Sequence, residues 1–530
     1  MTEATVSERV RRHAAERPDD LAYVATGRAL TWAEYDAVGD RLARELVGLG
    51  LAAGDRVAVY LPDGPGLHAV YLAAERAGAI LVGIPERAGD RELIHLVTRT
   101  GATLLVCPPE ARGRTAAELA TVVREGGAPL ERFAMLDDDV QLRAYDLDDP
   151  STPVPVEPGD LAGRQIATDE LWLLNSTSGT TGVPKCVKQT QNRWLYLVRT
   201  AVQASGLGPG DTVMSLVPGP FGFGLWSAHF APAMFGIPCV LQPRFDADAA
   251  LRAIAEHRVT VLACVTTQFQ LMLASPVMDE VDLSSLRVLY TGGEAVGAER
   301  AKEWERRTGS KVLQFYGSNE IGPFSCTSLD DPDDLRLGTV GRVVEGLDYR
   351  LYDDLGQPAP GRTGQPGAIS PGTAGGGYWG DDEANAALVT ADGYFLMPDV
   401  VTVDEAGYVT ITGRKSDIII RGGKNISAAA VEADVARHPA VAMAAAVAVS
   451  DDVFGERVCA VVVLRPGVES LSLDELVGFL AAEGVSKEYF PEHLVILEEL
   501  PQSMGGKIAK ADLRARLPQL LAGGRDAVTG

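Results

Sequence analysis

Apolar residues recur at two spacings along the chain, one typical of helices and the other of strands. From Tyr35 to Leu49 they are separated by three or four positions, which predicts a helix with one apolar face. Thr31 and Glu34 stand just before this stretch in the pattern of a capping box. After a turn at Gly54 the apolar run RVAVYL predicts a strand, so the first elements are a helix and a strand.

Short runs rich in β-branched residues alternate with helical stretches farther along. The runs LWLL at 171–174, VTVLACV at 259–265 and SLRVLYTGG at 285–293 predict strands. Such alternation is typical of layered α/β proteins. We therefore predict the α/β class for the long N-terminal part of the chain.

Length and local composition divide the chain into regions. With 530 residues it is too long for one ordinary core, which predicts at least two domains. Residues 331–412 are richer in Gly, Pro and polar turns, which predicts a smaller β-rich subdomain within an N-terminal region over 1–415. A hinge is expected at 415–417. Residues 416–530 are expected to form a C-terminal domain, because VEADVARH, VAMAAAVAVS and VCAVVVL have helix and strand patterns of their own.

The charge balance excludes some classes of partner. The chain has 48 Lys and Arg against 72 Asp and Glu, a formal charge of −24, which argues against nucleic acid or an anionic membrane as the main partner. Its six cysteines form no CxxC pair and no metal-ligand spacing, as expected of buried thiols in a reducing compartment. The N-terminus has no apolar signal segment, and no stretch approaches the roughly 20 apolar residues needed to span a bilayer. We therefore expect a cytoplasmic enzyme.

The most informative segment is NSTSGTTGVPK at 175–185. Its glycines allow positive φ and bare N–H groups, and its hydroxyls add donors, so the backbone can approach a phosphate chain closely. Lys185 adds a point charge at the end of the segment. The segment differs from a Walker A loop, since Lys185 is followed by Cys186 rather than Ser or Thr. The residues that this pattern assigns to phosphate binding are Thr177, Ser178, Gly179, Thr180, Thr181 and Gly182.

Four further motifs follow in order: YGSNE at 316–320, YFLMPD at 394–399, GRKSDIIIRGGKNIS at 413–427 and LPQSMGGKIAKADLR at 500–514. Together with the phosphate segment they resemble the adenylate-forming superfamily, which contains acyl-CoA synthetases, nonribosomal adenylation domains and luciferases. The resemblance covers nearly the whole chain. It implies a large N-terminal region of two layered α/β subdomains plus a β-barrel-like subdomain, capped by a small, mobile α+β C-terminal domain.

The resemblance also assigns roles to individual residues. Glu320 matches the magnesium ligand, Lys185 the loop cation, and Lys507 the lysine that reaches the carboxylate and the α-phosphate during adenylation. Asp399 matches the aspartate that accepts both ribose hydroxyls, and Arg414 the arginine beside it. The resemblance further places beside the nucleotide Gly293, Glu294, Ala295, Tyr316, Gly317 and Asn319. After rotation of the C-terminal domain, the pantetheine tunnel would be lined by Gly422, Gly423 and Lys424.

The chain departs from the usual motifs at four positions. Asn319 stands where Thr or Ser is usual, and its amide can still donate to the α-phosphate. Met397 and Pro398 stand where Thr and Gly usually precede Asp399, and the proline removes a backbone donor. Ser416 stands at the hinge position, which is usually Asp or Lys.

By position, the acid pocket is expected to be built from VPGPFGFGLW at 217–226, from TTQFQ at 266–270 and from the end of the YGSNE strand. Phe221 occupies the place where many acyl-CoA synthetases carry His, a substitution that aryl-acid ligases also show. Together with Phe223 and Trp226 it favours a flat apolar or aromatic acid, although three aromatic residues beside a Gly-rich turn fit core packing about as well. The other residues assigned to the pocket are Thr267 and Ser318.

These features predict an ATP- and magnesium-dependent ligase that converts a small carboxylic acid to an acyl-adenylate, releases pyrophosphate and passes the acyl group to a thiol. Coenzyme A is the favoured acceptor. The open alternatives are an enzyme that loads the phosphopantetheine of a separate carrier protein, activation of another oxyanion or transfer to an amine, a luciferase-like monooxygenase, and a nucleotide-binding protein without turnover. The retained Lys185, Glu320, Asp399, Arg414 and Lys507 speak against the last.

Overall fold

The computed structural model describes residues 3–176, 184–292, 296–353, 356–414, 418–421, 424–451, 455–483, 485–502, 508–522 and 527–529. Two large sheets covered by helices form most of the N-terminal region in these ranges. A smaller antiparallel sheet follows them, and a further sheet with its own helices forms the C-terminal part. This arrangement has the predicted α/β class.

The first large sheet has a parallel centre and antiparallel edges. Arg56–Tyr60 pairs in parallel with Ile80–Ile84 and with Leu104–Cys107. All residues of Ile80–Ile84 are buried, as expected where helices cover both faces of a parallel sheet. In spatial order the described strands of this sheet are Asp149–Pro153, Leu142–Asp146, Arg132–Leu136, Leu104–Cys107, Arg56–Tyr60, Ile80–Ile84, Leu173–Ser176 and Cys186–Gln189. Glu110–Ala111 and Arg114–Thr115 form a separate short hairpin.

The second large sheet contains the strands that end at the predicted nucleotide site. The runs VTVLACV and SLRVLYTGG form Val261–Ala263 and Val288–Gly292, which are parallel neighbours. Lys311–Ser318 pairs in parallel with Val288–Gly292, so the carboxyl ends of these strands lie at one edge. In spatial order the described strands are Arg342–Val343, Gly322–Cys326, Lys311–Ser318, Val288–Gly292, Val261–Ala263, Val213–Ser215, Cys239–Leu241, Leu21–Ala25 and Arg28–Thr31.

The helix predicted after Thr31 spans Trp32–Gly48, and its cap is the predicted one. The Thr31 hydroxyl accepts from the Glu34 backbone N–H, while the Glu34 carboxylate accepts from the Thr31 N–H. The N-terminal region also has a π-helical turn at Leu225–Phe230 and a 3₁₀ turn at Pro276–Asp279. The other α-helices described there are Val6–Glu16, Pro65–Ala77, Asp90–Thr100, Ala116–Glu125, Gln191–Ser205, Gly222–Gly224, Ala231–Phe235, Ala247–Glu256, Thr266–Ala274, Ala298–Thr308, Asp333–Gly338 and Asp382–Leu388.

The smaller sheet begins later than the composition suggested. Residues 331–343 hold the helix Asp333–Gly338 and a short edge strand of the second large sheet. The composition there predicts a polar turn, but Asp333 and Asp334 lie in the first turn of that helix. Negative charge is favourable at this end because the helix dipole is positive there. The strands of the smaller sheet are Asp348–Tyr352, Thr363–Ile369, Phe395–Leu396, Asp399–Val403 and Val409–Arg414.

The C-terminal part is built around one long hairpin. The runs VAMAAAVAVS and VCAVVVL form Val441–Asp451 and Gly455–Leu464, which pair antiparallel along nearly their whole length. The other described strands are Ile418–Arg421, Lys424–Ser427, His493–Ile496 and Ala527–Thr529. The helices are Ala428–Val435, Leu473–Ala482 and Lys510–Ala522, with a 3₁₀ turn at Lys487–Tyr489. Because residues 415–417 lie outside the described residues, the boundary at 415 stays a prediction.

Two expectations from composition concern the state of the cysteines and the presence of membrane-spanning helices. All six cysteines have free, buried thiols, as their spacing indicated. Within the described ranges, no helix combines the length and apolar character needed to cross a membrane.

A stack of four buried rings joins the elements between the two large sheets. The ring centroids of Tyr23 and His68 are 5.0 Å apart, those of His68 and His229 5.6 Å, and those of His229 and Trp172 5.4 Å. The ring nitrogens of both histidines are buried without a hydrogen-bond partner among the described residues. Burial, with a smaller contribution from His68, lowers the pKa of His229 well below 6.5.

We predict that His229 makes the fold sensitive to acid. Because its pKa is lowered in the folded state, the unfolded chain binds a proton first as the pH falls, and stability is lost from about pH 6.5 downward. In His229→Phe the free energy of unfolding should therefore fall less steeply between about pH 7 and about pH 5 than in the wild type, by up to about 1.4 kcal/mol per pH unit. Denaturant unfolding at each pH measures this. His257→Phe, at a half-buried helix end, is the control, and equal slopes in His229→Phe and the wild type would contradict the prediction.

Candidate active site

Part of the predicted site lies outside the described residues, so the geometry comes from the remaining positions. The backbones of Arg414 and Lys424 are described and their side chains are not. The residues outside are Thr177, Ser178, Gly179, Thr180, Thr181, Gly182, Gly293, Glu294, Ala295, Ser416, Gly422, Gly423 and Lys507.

The two ends of the predicted phosphate segment are held side by side at an edge of the first large sheet. Leu173–Ser176 and Cys186–Gln189 are antiparallel neighbours, with Ser176 opposite Cys186. Lys185, which is half-buried, stands where the chain re-enters the sheet. Pairing of the flanking strands therefore fixes the position of this cation relative to the start of the segment.

Lys185 and Glu320, which come from different motifs, are connected through one tyrosine. The Lys185 Nζ lies 4.8 Å from the ring centroid of Tyr378, a cation–π contact. The Tyr378 hydroxyl donates to Glu320 Oε1 at 2.9 Å. Burial and the charge of Glu320 raise the pKa of Tyr378, which keeps the hydroxyl protonated as a donor. The predicted phosphate cation thus lies over the face of one tyrosine ring, and the predicted metal ligand accepts from the hydroxyl of the same ring.

The predicted adenine and ribose residues are also in contact. The Tyr316 hydroxyl donates to Asp399 Oδ2 at 3.0 Å. Asp399 opens the strand Asp399–Val403 and lies opposite Arg414 in the neighbouring strand, so backbone pairing brings the two motif residues together. Tyr316 is mostly buried and Asp399 is half-buried.

The two departures before Asp399 are accommodated by the smaller sheet. The Met397 side chain is buried, its backbone N–H donates to Pro366 O, and its carbonyl accepts from Gln365 Nε2 at 2.7 Å. Pro398 is exposed and lies between two strands, where a missing backbone donor costs little.

The turn that carries Asn319 and Glu320 requires glycine. A Cβ on Gly317 would lie 2.1 Å from Gly322 O, so no larger residue fits where the strand Lys311–Ser318 meets Gly322–Cys326. Asn319 Oδ1 accepts from Asn175 Nδ2 at 3.3 Å, which connects this turn to the last strand before the phosphate segment.

The aromatic residues predicted for the acid pocket divide into two groups. Trp226 is fully buried and packs edge-on against Tyr290 and Phe315, with ring centroids 5.3 and 5.4 Å apart, so it belongs to the core. Phe221 and Phe223 are only half-buried, and Phe223 packs on Trp226 at 5.7 Å. Thr267 is buried and Ser318 is half-buried. Phe221 and Phe223 therefore remain available to contact a substrate.

Glycines let the pocket segment pack closely on its surroundings. A Cβ on Gly222 would lie 2.1 Å from the Trp194 ring and 2.6 Å from Asn319 Oδ1. A Cβ on Gly292, at the end of its strand, would lie 2.4 Å from Phe315 O. The wall of the predicted acid pocket and the turn of the predicted metal ligand are therefore in direct contact.

The residues on either side of the Lys507 segment contact each other and the N-terminal region. Gln502 and Ile508 form an isolated antiparallel bridge, which brings the two ends of the segment together. Arg87 Nη1 donates to Gln502 Oε1 at 3.0 Å. A second contact between the two regions joins Arg300 Nη2 to Val441 O at 3.4 Å.

Sequence reasoning missed Tyr378 and a buried arginine, Arg193. Tyr378 follows the positive-φ residues Gly375 and Gly377, and a turn with this composition has no specific signature. Arg193 lies in the first turn of Gln191–Ser205, a helix that is buried nearly all round. A cation inside such an apolar helix is the signal that could have drawn attention to it.

Comparison with known proteins supports the same reading of the motifs. The family model described as AMP-binding enzyme matches residues 10–379, and the model described as AMP-binding enzyme C-terminal domain matches residues 430–507. The medium-chain fatty-acid–CoA ligase of Escherichia coli is 31% identical over 522 residues, which cover 97% of this chain and 90% of the ligase. The 2,3-dihydroxybenzoate-AMP ligase of Bacillus subtilis is 28% identical and covers 98% of this chain and 95% of its own length.

A solved structure extends the likeness to the fold. The ATP-bound MatB of Rhodopseudomonas palustris matches with a TM-score of 0.82 and 27% identity, and the match covers 97% of this chain and 99% of MatB. The predicted resemblance and fold class are thereby confirmed. The chain belongs to the AMP-binding enzymes of the adenylate-forming superfamily.

Proposed function

We propose that this protein is a ligase that uses ATP to activate a carboxylic acid as its acyl-adenylate and then transfers the acyl group to a thiol, most favourably coenzyme A. The observation that carries the proposal is a pair of contacts made by Tyr378, a cation–π contact with Lys185 and a hydrogen bond to Glu320. It sets a cation, a neutral donor and a carboxylate beside one another at the end of the predicted phosphate segment. The contact between Tyr316 and Asp399 supplies the nucleoside part of the same site.

The chemistry has two steps. A carboxylate oxygen of the acid bonds to the α-phosphorus of ATP while the bond to the β-phosphate oxygen breaks, and pyrophosphate leaves with that electron pair. The thiol sulfur then bonds to the acyl carbon, the bond to the AMP oxygen breaks, and the thiol proton goes to solvent. Negative charge concentrates on phosphate oxygens in the first step, so Lys185 and Lys507 would stabilise its transition state as positioned cations.

Glu320 fits the role of magnesium ligand. No cluster of three His, Cys, Asp or Glu side chains that could hold a metal occurs among the described residues. This suits Mg²⁺, which is usually held by one or two carboxylates together with substrate phosphates. Tyr378 occupies only Oε1 of Glu320, and a carboxylate has further acceptor positions. Bound Mg²⁺ would neutralise phosphate charge.

We propose that the acid is apolar or aromatic. Phe221 and Phe223 are half-buried beside the turn of Asn319, where the acid must lie if its carboxylate is to reach the α-phosphate. The names of the two relatives support this class, because one describes a fatty-acid ligase and the other a ligase of an aromatic acid.

We also propose that the C-terminal domain over 416–530 serves the two steps in turn. Lys507 would take part in the first step, and rotation at the hinge would then bring Gly422, Gly423 and Lys424 to the tunnel for the second step. The contacts of Arg87 and Arg300 with the C-terminal part are hydrogen bonds to an exposed side-chain amide and to a backbone carbonyl. Such contacts can break and re-form at little cost, as this exchange requires.

ATP–pyrophosphate exchange across aryl, short-chain, medium-chain and long-chain acids tests the proposal. We expect exchange with one class of acid and detection of its coenzyme A thioester by mass spectrometry. Exchange should be at least ~10²-fold slower in Lys507→Ala, which is the order of magnitude for removing one transition-state donor. Thioester formation from preformed adenylate should be largely retained in that variant. Lys302→Ala, an exposed lysine paired with Glu299, is the control.

The outcomes separate the alternatives. Exchange without a thioester, followed by labelling of a carrier protein's phosphopantetheine, would identify a carrier loader. An amide product would identify an amine acceptor. No exchange with any acid, despite measurable binding of ATP, would contradict adenylation of a carboxylate.

A second prediction concerns Tyr378. In Tyr378→Phe the ring under Lys185 remains and the donor to Glu320 is lost, so the magnesium dependence of exchange should shift to about tenfold higher concentration. Titration of Mg²⁺ at fixed ATP measures the shift. Tyr394→Phe removes a similar hydrogen bond, 2.8 Å from Tyr394 to Asp348 in the smaller sheet, and should leave the titration unchanged. Identical titrations for the two variants would disprove the role of Tyr378.

A further inference from the structure

A buried chain of hydrogen bonds runs from Arg193 to Asn319 through two side-chain amides. Arg193 Nη1 donates to Gln189 Oε1, Gln189 Nε2 donates to Asn175 Oδ1 at 2.8 Å, and Asn175 Nδ2 donates to Asn319 Oδ1 at 3.3 Å. Arg193, Gln189 and Asn175 are buried, with at most 1% of each residue exposed. We call these four residues the amide relay.

Arginine fixes the direction of every bond in the relay. A guanidinium has donors only, so the Gln189 atom that faces it must be the carbonyl oxygen. Its other end is therefore an NH₂ group, which requires the carbonyl oxygen of Asn175. The Asn175 NH₂ group in turn requires the carbonyl oxygen of Asn319, which leaves the Asn319 NH₂ group as the free end.

A second contact fixes the orientation of Gln189 independently. Its Nε2 also lies 3.1 Å from the backbone oxygen of Asn319, which can only accept. Arg193 Nη1 reaches the same oxygen at 2.6 Å. If the Gln189 amide were reversed, its oxygen would face the carbonyl oxygen of Asn319 and the two would repel. Its NH₂ group would then face Arg193, which has no acceptor, so the hydrogen bond from Arg193 would be lost. The reverse orientation is therefore excluded on two grounds.

Arg193 carries a buried positive charge close to the predicted site. Its Nη2 has no hydrogen-bond partner among the described residues. Burial lowers the pKa of Arg193 to about 10, with the charge of Glu320 opposing the shift, so it remains a cation and a donor near neutral pH. Burying a cation is costly to the fold, so its place beside Glu320 favours a role in positioning the residues of the site.

We propose that the amide relay orients the Asn319 side chain so that its NH₂ group, rather than its oxygen, faces the α-phosphate of the bound nucleotide. The inference rests on the proposed function, in which Asn319 takes the place of the usual Thr or Ser. A hydroxyl can rotate to donate by itself, whereas an amide presents a donor or an acceptor depending on its orientation. Arg193, Gln189 and Asn175 are then positioning residues, and Asn319 is the residue that contacts phosphate.

Affinity for AMP and adenosine, measured by calorimetry on the full chain, isolates the contact with the α-phosphate. Asn175→Asp keeps the shape of the side chain but can no longer donate, so Asn319 should turn its NH₂ group inward and its oxygen toward the phosphate. We expect affinity for AMP to fall at least about tenfold, as for a lost charge-assisted hydrogen bond, and affinity for adenosine to stay within about twofold. Asn192→Asp, half-buried on the neighbouring helix, makes the same charge change outside the relay and should alter neither.

A double-mutant cycle separates orientation from simple charge repulsion. In the Asn319→Thr background the hydroxyl can rotate and donate to the phosphate whichever group occupies position 175. Asn175→Asp should therefore weaken AMP binding in that background by at most about threefold. An equal loss in both backgrounds would show that the added charge alone weakens binding and would overturn the proposal. An unchanged ratio of AMP to adenosine affinity in Asn175→Asp would overturn it as well.

The same measurements distinguish failure of this inference from failure of the proposed function. If the wild type binds AMP no better than adenosine, the site does not recognise an α-phosphate, and both the proposed function and the relay's role are contradicted. If the wild type prefers AMP and Asn175→Asp keeps that preference, only the relay's role is wrong.

Discussion

The hydrogen bonds of one buried guanidinium hold together the three segments that meet at the site. Arg193 donates to the Gln189 side chain in the first large sheet, to the carbonyl of Asn319 in a turn between two strands of the second, and to the carbonyl of Gly372 in the loop that leads to Tyr378. Each segment also carries one residue of the proposed site, respectively Lys185, Glu320 and Tyr378. Loss of the guanidinium would leave several buried acceptors without a donor, which costs more than the bonds themselves contribute. The relative positions of cation, carboxylate and tyrosine therefore depend on one fully buried residue.

The position of the site follows from the direction of the strands. Lys311–Ser318 and Val288–Gly292 run in parallel, and both end where Tyr316 and the acid pocket meet. Open parallel sheets bind ligands at this edge because side chains and loops from several strands converge there. The smaller sheet adds Asp399 from the opposite side, through its hydrogen bond with Tyr316. In the proposed function the fold supplies the nucleotide site, and the choice of acid would depend on a few positions around Phe221 and Phe223, since fold alone does not determine substrate.

The residues that the sequence predicts for the site lie in short contiguous motifs. Tyr316 and Asp399 are far apart in the chain, yet each belongs to a recognisable motif, and the structure joins them by a hydrogen bond. Tyr378 and Arg193 were missed because their roles arise only when separate elements pack together, and neither a tyrosine after glycines nor an arginine in a helix has a local signature. The same limit applies to the fold. The capping box at Thr31 marks a helix start locally, whereas the limits of the smaller sheet depend on pairing between distant strands.

In the proposed reaction a carboxylate oxygen of the acid attacks the α-phosphorus of ATP. An acid that supports exchange can be labelled with oxygen-18 at both carboxylate oxygens and incubated with ATP, Mg²⁺ and coenzyme A. Mass spectrometry of the AMP formed measures the label. We expect AMP with one labelled oxygen and a thioester with the other, because the second step breaks the bond between the acyl carbon and the oxygen that stays on AMP. Unlabelled AMP would disprove attack by the carboxylate, since the α-phosphorus would then have been attacked by water or another nucleophile.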